Sequence, residues 1–272
     1  MGKKKVLITG ASGLIGGLVR KGLSDKYEFS ALNRRKVEGI PSLQASVADR
    51  DAILPAFEGI DTVLHLGGHT DGDDWDIQLS VDIGGTYNVY EAARQNGVKR
   101  VIFASSGGTT LGWESESPYF EIVAAQYNKI PETWPMITHE MPVRPAGLTY
   151  VAKACGEVIG RYYSERYGIS SINIRLGAVL ESDHPEARRH YPGYLSQADC
   201  VQMVDKCISA PDSVRFDIFD AISDNKYRWR DTSHAADVIG WVAEGSAENY
   251  EIADKGGPHQ IGETWGYEPQ KS

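Results

Sequence analysis

The chain has 272 residues, 41% hydrophobic and 24% charged, a globular composition long enough to bury a core without disulfide or metal staples. Lys and Arg number 28 against 37 Asp and Glu; the formal charge of -9 argues against nucleic acid as a partner. Cys155, Cys200 and Cys207 form no spaced framework and leave one thiol over, which points to a reducing, cytoplasmic setting.

Lys3, Lys4 and Lys5 before an apolar stretch imitate a secretion signal, but Gly10, Gly13 and Gly16 interrupt that stretch and no small-residue cleavage site follows. No window approaches ~18 uninterrupted apolar residues, so no membrane partner is expected. In chain order, the apolar run at 6–8 reads as a strand covered on both faces. Gly10 to Gly13 form a turn, and 14–23 a helix. Strands follow at 29–32 and 43–47, then a short helix capped by Asp49, and a strand at 62–66. The segment 74–95 is a long helix ended by Gly97, and 101–104 is the next strand. Residues 107–146 hold a glycine pair and five prolines, so they read as a long functional loop. Helix 148–167, strand 172–176, helix 196–209 and strand 214–219 complete the pattern.

Strand and helix alternate from residue 5 to about 176. This predicts an α/β fold: a Rossmann doubly wound parallel sheet with helices on both faces and a small C-terminal substrate cap. The whole of 1–272 reads as one domain, with a dinucleotide-binding part to about 180 and a cap from 181, joined by the 107–146 loop.

The run from Thr9 to Gly16 sits between a strand and a helix, the context that gives a spaced glycine motif its meaning. Gly10 permits a tight turn, Gly13 lets backbone approach a pyrophosphate, and Gly16 lets helix pack on strand. The second strand ends at Asn33, Arg34 and Arg35, where NAD binding calls for an acid on the ribose. Asn33 lacks that charge, and Arg34 or Arg35 suits a 2′-phosphate, favouring NADP over NAD.

Here the sequence resembles a family, the extended short-chain dehydrogenase/reductases of the NAD-dependent epimerase/dehydratase group. Thr9 to Gly16, Leu64 to Gly68, Gly85 to Ala93, Phe103 to Ser106, Lys153 to Glu157 and Ile174 to Gly177 carry the match. Within the group it is most similar to uronate dehydrogenases, a comparison that Tyr194 to Ser196 and Trp229 to Asp231 also fit. The resemblance implies that Gly10, Ser12, Gly13, Leu14 and Ile15 hold the pyrophosphate. It puts Asn33 and Arg34 at the adenosine ribose, Ser46 and Val47 at the adenine, and Leu66, Gly67 and Gly68 on the path to the nicotinamide. Ser106 takes the catalytic Ser/Thr position, with Ser105 and Gly107 beside the substrate, and Lys153 bonds the nicotinamide ribose. It also implies a homodimer built on the helices at 74–95 and 147–167.

The chain departs from this family at one chemical point. The family has Tyr four residues before the Lys, and here that place is Thr149, with Tyr150 one later. Helical spacing puts Thr149 on the Lys153 face, and neighbouring residues are rotated by about 100°. An aliphatic hydroxyl has no anion near neutral pH, so Thr149 orients an oxygen but is a poor acid–base. Tyr150, Tyr119, Tyr127 and His139 are the other candidates for the proton. Gly107-Gly108 also replaces a polar pair of the uronate dehydrogenases, and Ala178 their Ser. Arg188, Arg189 and His190 suit a clamp on an anionic substrate.

The acidic run from Asp71 to Asp76 lacks the Gly and the final Glu of a calcium loop, and the histidines show no paired ligand spacing, so no metal site is expected. The leading reading is an NAD(P)-dependent oxidoreductase acting on a small polar or sugar-derived alcohol or carbonyl. A dinucleotide-binding sensor, or a sugar epimerase or dehydratase, are the alternatives.

Overall fold

Val6, Leu7 and Ile8 are fully buried, as a strand covered on both faces requires. The computed structural model describes residues 2–69 and 74–252. Residues 71–73 of the acidic run and the last part, 253–272, of the cap expected at 181–272 lie outside these. The strands are β1 (Lys4–Thr9), β2 (Tyr27–Asn33), β3 (Ser42–Gln44), β4 (Thr62–His65), β5 (Arg100–Ser106), β6 (Ser170–Leu176) and β7 (Phe216–Ala221). All pair in parallel in the order β3-β2-β1-β4-β5-β6-β7. The order reverses at β1, and ligands in such sheets bind beyond the strand ends at that switch.

The helices are α1 (Leu14–Leu23), α2 (Arg50–Ile53), α3 (Trp75–Ile77), α4 (Gly84–Gln95), α5 (Tyr119–Val123), α6 (Leu148–Tyr167), α7 (Gln197–Ser209) and α8 (Ser233–Ile239). Side chains of each strand alternate between two cores. Val6, Ile8, Leu64, Ile102 and Ile174 pack under α1, α7 and α8. Leu7, Val63 and Val101 pack with Phe57, Val89, Tyr90 and Tyr163 on the opposite face. Among the described residues no helix is long and apolar enough to cross a membrane.

Three expectations change. The helix expected at 74–95 runs from Trp75 to Gln95, but 78–83 is a wider π turn, which rotates Gln78 and Asp82 inward to nearly full burial. The loop at 107–146 holds a helical turn at Gly107–Ser115 and α5, and encloses a core of its own: Tyr119, Ile122, Val123, Ile137 and Trp229. Apolar side chains scattered between prolines hid that core from any periodicity. Finally, residues 181–252 are not simply a cap. β7 completes the sheet, and α7 packs on α1 through Cys200, Met203, Val204 and Cys207.

Two buried polar systems fix the strand ends. Arg175 on β6 makes a two-pronged pair with Glu157 on α6, at 2.9 Å for each bond, and Ser105 Oγ donates to the same carboxylate at 2.7 Å. His65 at the end of β4 is fully buried between Thr9 Oγ1 (2.6 Å) and Thr86 Oγ1 (3.1 Å). Thr86 Oγ1 donates to Asp82 O and so accepts from His65 Nε2–H, which leaves Nδ1 of a neutral ring to accept from the Thr9 hydroxyl, itself an acceptor for Gly67 N–H. The ring is neutral because burial lowers its pKa to about 3, with the Lys153 charge adding to the shift.

Truncating Glu157 to Ala strands a buried guanidinium, so urea unfolding should show a loss of about 3–5 kcal/mol. Glu165→Ala, which removes an exposed partner of Arg161, should cost less than about 1 kcal/mol. His65 sets a pH dependence. Its folded pKa lies below the unfolded value of 6.5, so its stabilisation is complete above that value and is lost as pH falls toward the folded pKa. Between pH 7 and pH 5 the loss should be about 2 kcal/mol. His65→Asn should flatten the melting profile by that amount; an unchanged slope would assign the titration elsewhere.

Candidate functional site

Three glycines of the first turn are small for different reasons. Gly10 has φ +72°, and a Cβ there would lie 2.8 Å from Gly67 N. At Gly16 a Cβ would lie 2.7 Å from Ala11 Cα. At Gly13 the nearest atom, Gly10 O, would be 3.4 Å away, an ordinary contact. Gly13 is thus not required by the protein's own packing. It leaves an open cradle at the start of α1, where no side chain caps the free N–H groups. These donors and the positive helix end fit the pyrophosphate of a dinucleotide.

The remaining expected cofactor residues surround the same sheet end. Leu14 and Ile15 open α1. Asn33 Nδ2 donates to Ser12 Oγ at 3.1 Å and to Arg35 O at 3.0 Å, tying the end of β2 to the glycine turn and leaving Arg34 exposed. Ser46 and Val47 follow β3. Ser46 Oγ accepts from Ala48 N–H, and Val47 packs on Gly85, 2.6 Å from where a Cβ would stand. Leu66, Gly67 and Gly68 follow β4. A Cβ on Gly68 would lie 2.5 Å from Asp82 Oδ1 and 3.4 Å from Lys153 Nζ, so the carboxylate and the ammonium converge there. Burial lowers the Lys153 pKa and raises that of Asp82, and each charge opposes the other's shift.

The proton-transfer candidates separate cleanly. Thr149 Oγ1 accepts from Gln78 Nε2 at 3.1 Å, directed at the π turn. Tyr150 lies across Gly108, where a Cβ would overlap its ring, and the same Gly108 donates its N–H to Ser106 Oγ at 3.0 Å. The expectation that Tyr150 is rotated off the Lys153 face needs correction. It precedes Lys153 by three residues, and positions three and four apart flank the same helix face. Thr149 takes the flank toward Gln78 and Tyr150 the flank toward Ser106.

Ser106, Gly107, Gly108, Tyr150, Arg189 and Arg230 line a cavity of about 270 Å³. Arg189 reaches it while holding Glu114 at 3.1 Å, and His190 also lines it. Arg230 is 4% exposed, and a Cβ on Gly107 would overlap its guanidinium; its Nε and Nη1 have no hydrogen-bond partner. Burial pushes the carboxyl of Glu114 up and that of Asp220 up to about 6 against the opposing arginines. Two arginines, Arg189 and Arg230, line the cavity against one acid, Glu114. Ser105 faces Glu157 and Arg188 is exposed; neither lines the cavity. Tyr119 donates to Pro135 O, Tyr127 stacks on Tyr227 and His139 on His234, all outside it. Sequence reasoning missed Asp82, Gln78, Glu114 and Arg230 as site residues. Only Arg230 carried a signal, in the run Trp229 to Asp231.

The NAD dependent epimerase/dehydratase family matches residues 6–242. An L-arabinose 1-dehydrogenase (NAD(P)(+)) of Haloferax volcanii is 32% identical over 222 residues, covering 77% of this chain and 85% of that protein. A uronate dehydrogenase of Pseudomonas putida is 30% identical over 260 residues, covering 93% and 89%. The crystal structure of a mutant uronate dehydrogenase from Agrobacterium tumefaciens complexed with NAD superposes with a TM-score of 0.77 at 28% identity, covering 91% of this chain and 87% of that one. The glycine cradle, the Rossmann strand order and this extent of match lead to one conclusion: the chain belongs to the NAD dependent epimerase/dehydratase family.

Proposed function

We propose that the chain is an NAD(P)-dependent oxidoreductase of a small, acidic, sugar-derived substrate, with Tyr150 as its proton-transfer group. The observation that carries this is the meeting of Tyr150 and Ser106 across Gly108, on the helix face that also bears Lys153. A bound nicotinamide supplies the hydride acceptor or donor. Ser106 Oγ holds the reacting oxygen, and Tyr150 takes its proton in oxidation or returns it in reduction. A phenol, with a pKa near ~10, can act as an acid–base where an aliphatic hydroxyl cannot. Arg230 and Arg189 hold an acidic group of the substrate by charge-assisted bonds. Relatives that act on L-arabinose and on uronates support a sugar, and the unpaired guanidinium edge of Arg230 favours the acid. Tyr150 in the cavity supports an enzyme over a dinucleotide-binding sensor.

The exposed Arg34 beyond β2 supports NADP as the preferred cofactor. The three free thiols fit a reducing compartment. Val158 (70% exposed) and Tyr162 (52%) on α6 beside Tyr87 (43%) on α4 support a homodimer through these helices, which sedimentation would test.

With a panel of uronates and aldoses, Tyr150→Phe should lower kcat by ~10²–10⁴-fold and leave cofactor affinity unchanged. Thr149→Val should change kcat by less than about tenfold, or ~1.4 kcal/mol. The reverse ranking would return the proton to the Thr149 side. For the cofactor, Arg34→Ala should weaken NADP by ~1.5–3 kcal/mol in fluorescence titration and spare NAD; equal losses would reject a 2′-phosphate contact.

A further inference from the structure

His139, Asp217 and His234 meet at the outer edge of the sheet, outside the residues that line the substrate cavity. They come from three separate segments: the 107–146 insertion, β7 and the first turn of α8. One ligand atom of each lies within 4.8 Å of the others, and all three residues are half-buried. His234 Nε2 is 2.7 Å from Asp217 Oδ1. The two imidazoles stack with centroids 3.8 Å apart and planes 12° from parallel.

We propose that these three side chains bind a late first-row divalent cation, with Zn²⁺ the best match. Two imidazoles and one carboxylate are borderline-soft nitrogen and hard oxygen donors, the set that suits zinc and its neighbours in the series. The stacked rings bring two imidazole donors and the Asp217 carboxylate to one point, and binding a cation there requires imidazole in its neutral form. Asp217 supplies the negative charge, and Glu140 adds to it beside His139. The nearest opposing cation, Arg175, is neutralised by Glu157 at 2.9 Å. The ring of Phe219 lies 5.4 Å from that of His234 and forms an apolar floor. Asp217 is already anchored, because its Oδ1 accepts the Ile218 N–H at 2.9 Å.

The ion takes the place of the hydrogen between His234 Nε2 and Asp217 Oδ1: that proton leaves Nε2, and the bound ring carries its single proton on Nδ1. A nitrogen lone pair lies in the ring plane, so the two rings splay from parallel as they turn to the ion. The site fastens residue 139 to β7. Ile137, two residues before it, bonds through its backbone to Trp229 and Asp231, on either side of the cavity residue Arg230. A bound ion therefore stiffens the cavity wall from outside.

The test is a Co²⁺ titration of the full chain after dialysis against a chelator, read as ligand-field absorption in the visible. It uses no substrate, so its outcome is independent of the proposed dehydrogenase chemistry. Wild type should take up about one equivalent, which Zn²⁺ displaces. His139→Ala and the isosteric Asp217→Asn should each weaken binding at least ~tenfold. His184→Ala, which changes a histidine outside the cluster, should bind as wild type does. Absence of the band in wild type, its survival in either ligand variant, or its loss in His184→Ala would overturn the proposal.

Discussion

Two backbones meet at Gly10 and Gly67, and the rest of the site is built outward from that contact. A single Cβ on Gly10 would stand 2.8 Å from Gly67 N, so the ends of β1 and β4 touch with nothing between them. The contact is locked by a directional chain of hydrogen bonds. Gly67 N–H donates to Thr9, Thr9 to His65, His65 to Thr86, and Thr86 to the carbonyl of Asp82. Each hydroxyl in the chain both accepts and donates, and the imidazole fits only as the neutral Nε2–H tautomer. The chain ends on the π turn that presents the Asp82 carboxylate to Gly68 and Lys153. The glycine turn at one end of the site and the buried lysine at the other are thus held by one set of bonds.

The two buried arginines differ in how they are paired. Arg175 has both prongs satisfied by Glu157 and is 1% exposed, so it closes the packing between α6 and the sheet. Arg230 is nearly as buried; its Nε and Nη1 have no hydrogen-bond partner, against Nη1 alone in Arg175. Burying a cation without full pairing costs several kcal/mol, and such a cost persists where a ligand completes the pairing. Burial raises the pKa of the neighbouring acids Glu114 and Asp220 against the pull of Arg230, so they offset its charge less than exposed carboxylates would.

The fold was legible because its signals are local. The runs at 6–8, 62–66, 101–104 and 172–176 are apolar without alternation, and glycines mark the turns between strand and helix. The cofactor side was legible for the same reason, since Gly10, Gly13 and Gly16 lie within one turn. The substrate side was not. It is assembled from β5, the insertion, α6, the 188–193 turn and the segment at 229–230, and no spacing rule connects these. The π turn was invisible because one extra residue per turn alters which side chains face inward without breaking the helical pattern. The strand at 214–219 shifted to Phe216–Ala221 because Val214 packs into the core from the turn before it.

Two departures from the resembled family, unrelated in the sequence, are one feature in space. The resemblance implies Tyr one place earlier on α6 and a polar pair after β5; here the residues are Tyr150 and Gly107-Gly108. Gly107 is bare where the Arg230 guanidinium lies, and Gly108 is bare where the Tyr150 ring lies. A side chain at either position would displace the group opposite it. The glycines therefore make room for an arginine and a tyrosine that reach the cavity from other segments. Moving the phenol from four residues before Lys153 to three shifts it to the other flank of the same face, and Gly108 provides the space on that flank. The bare positions at 107 and 108 and the placement of Arg230 and Tyr150 thus depend on each other sterically.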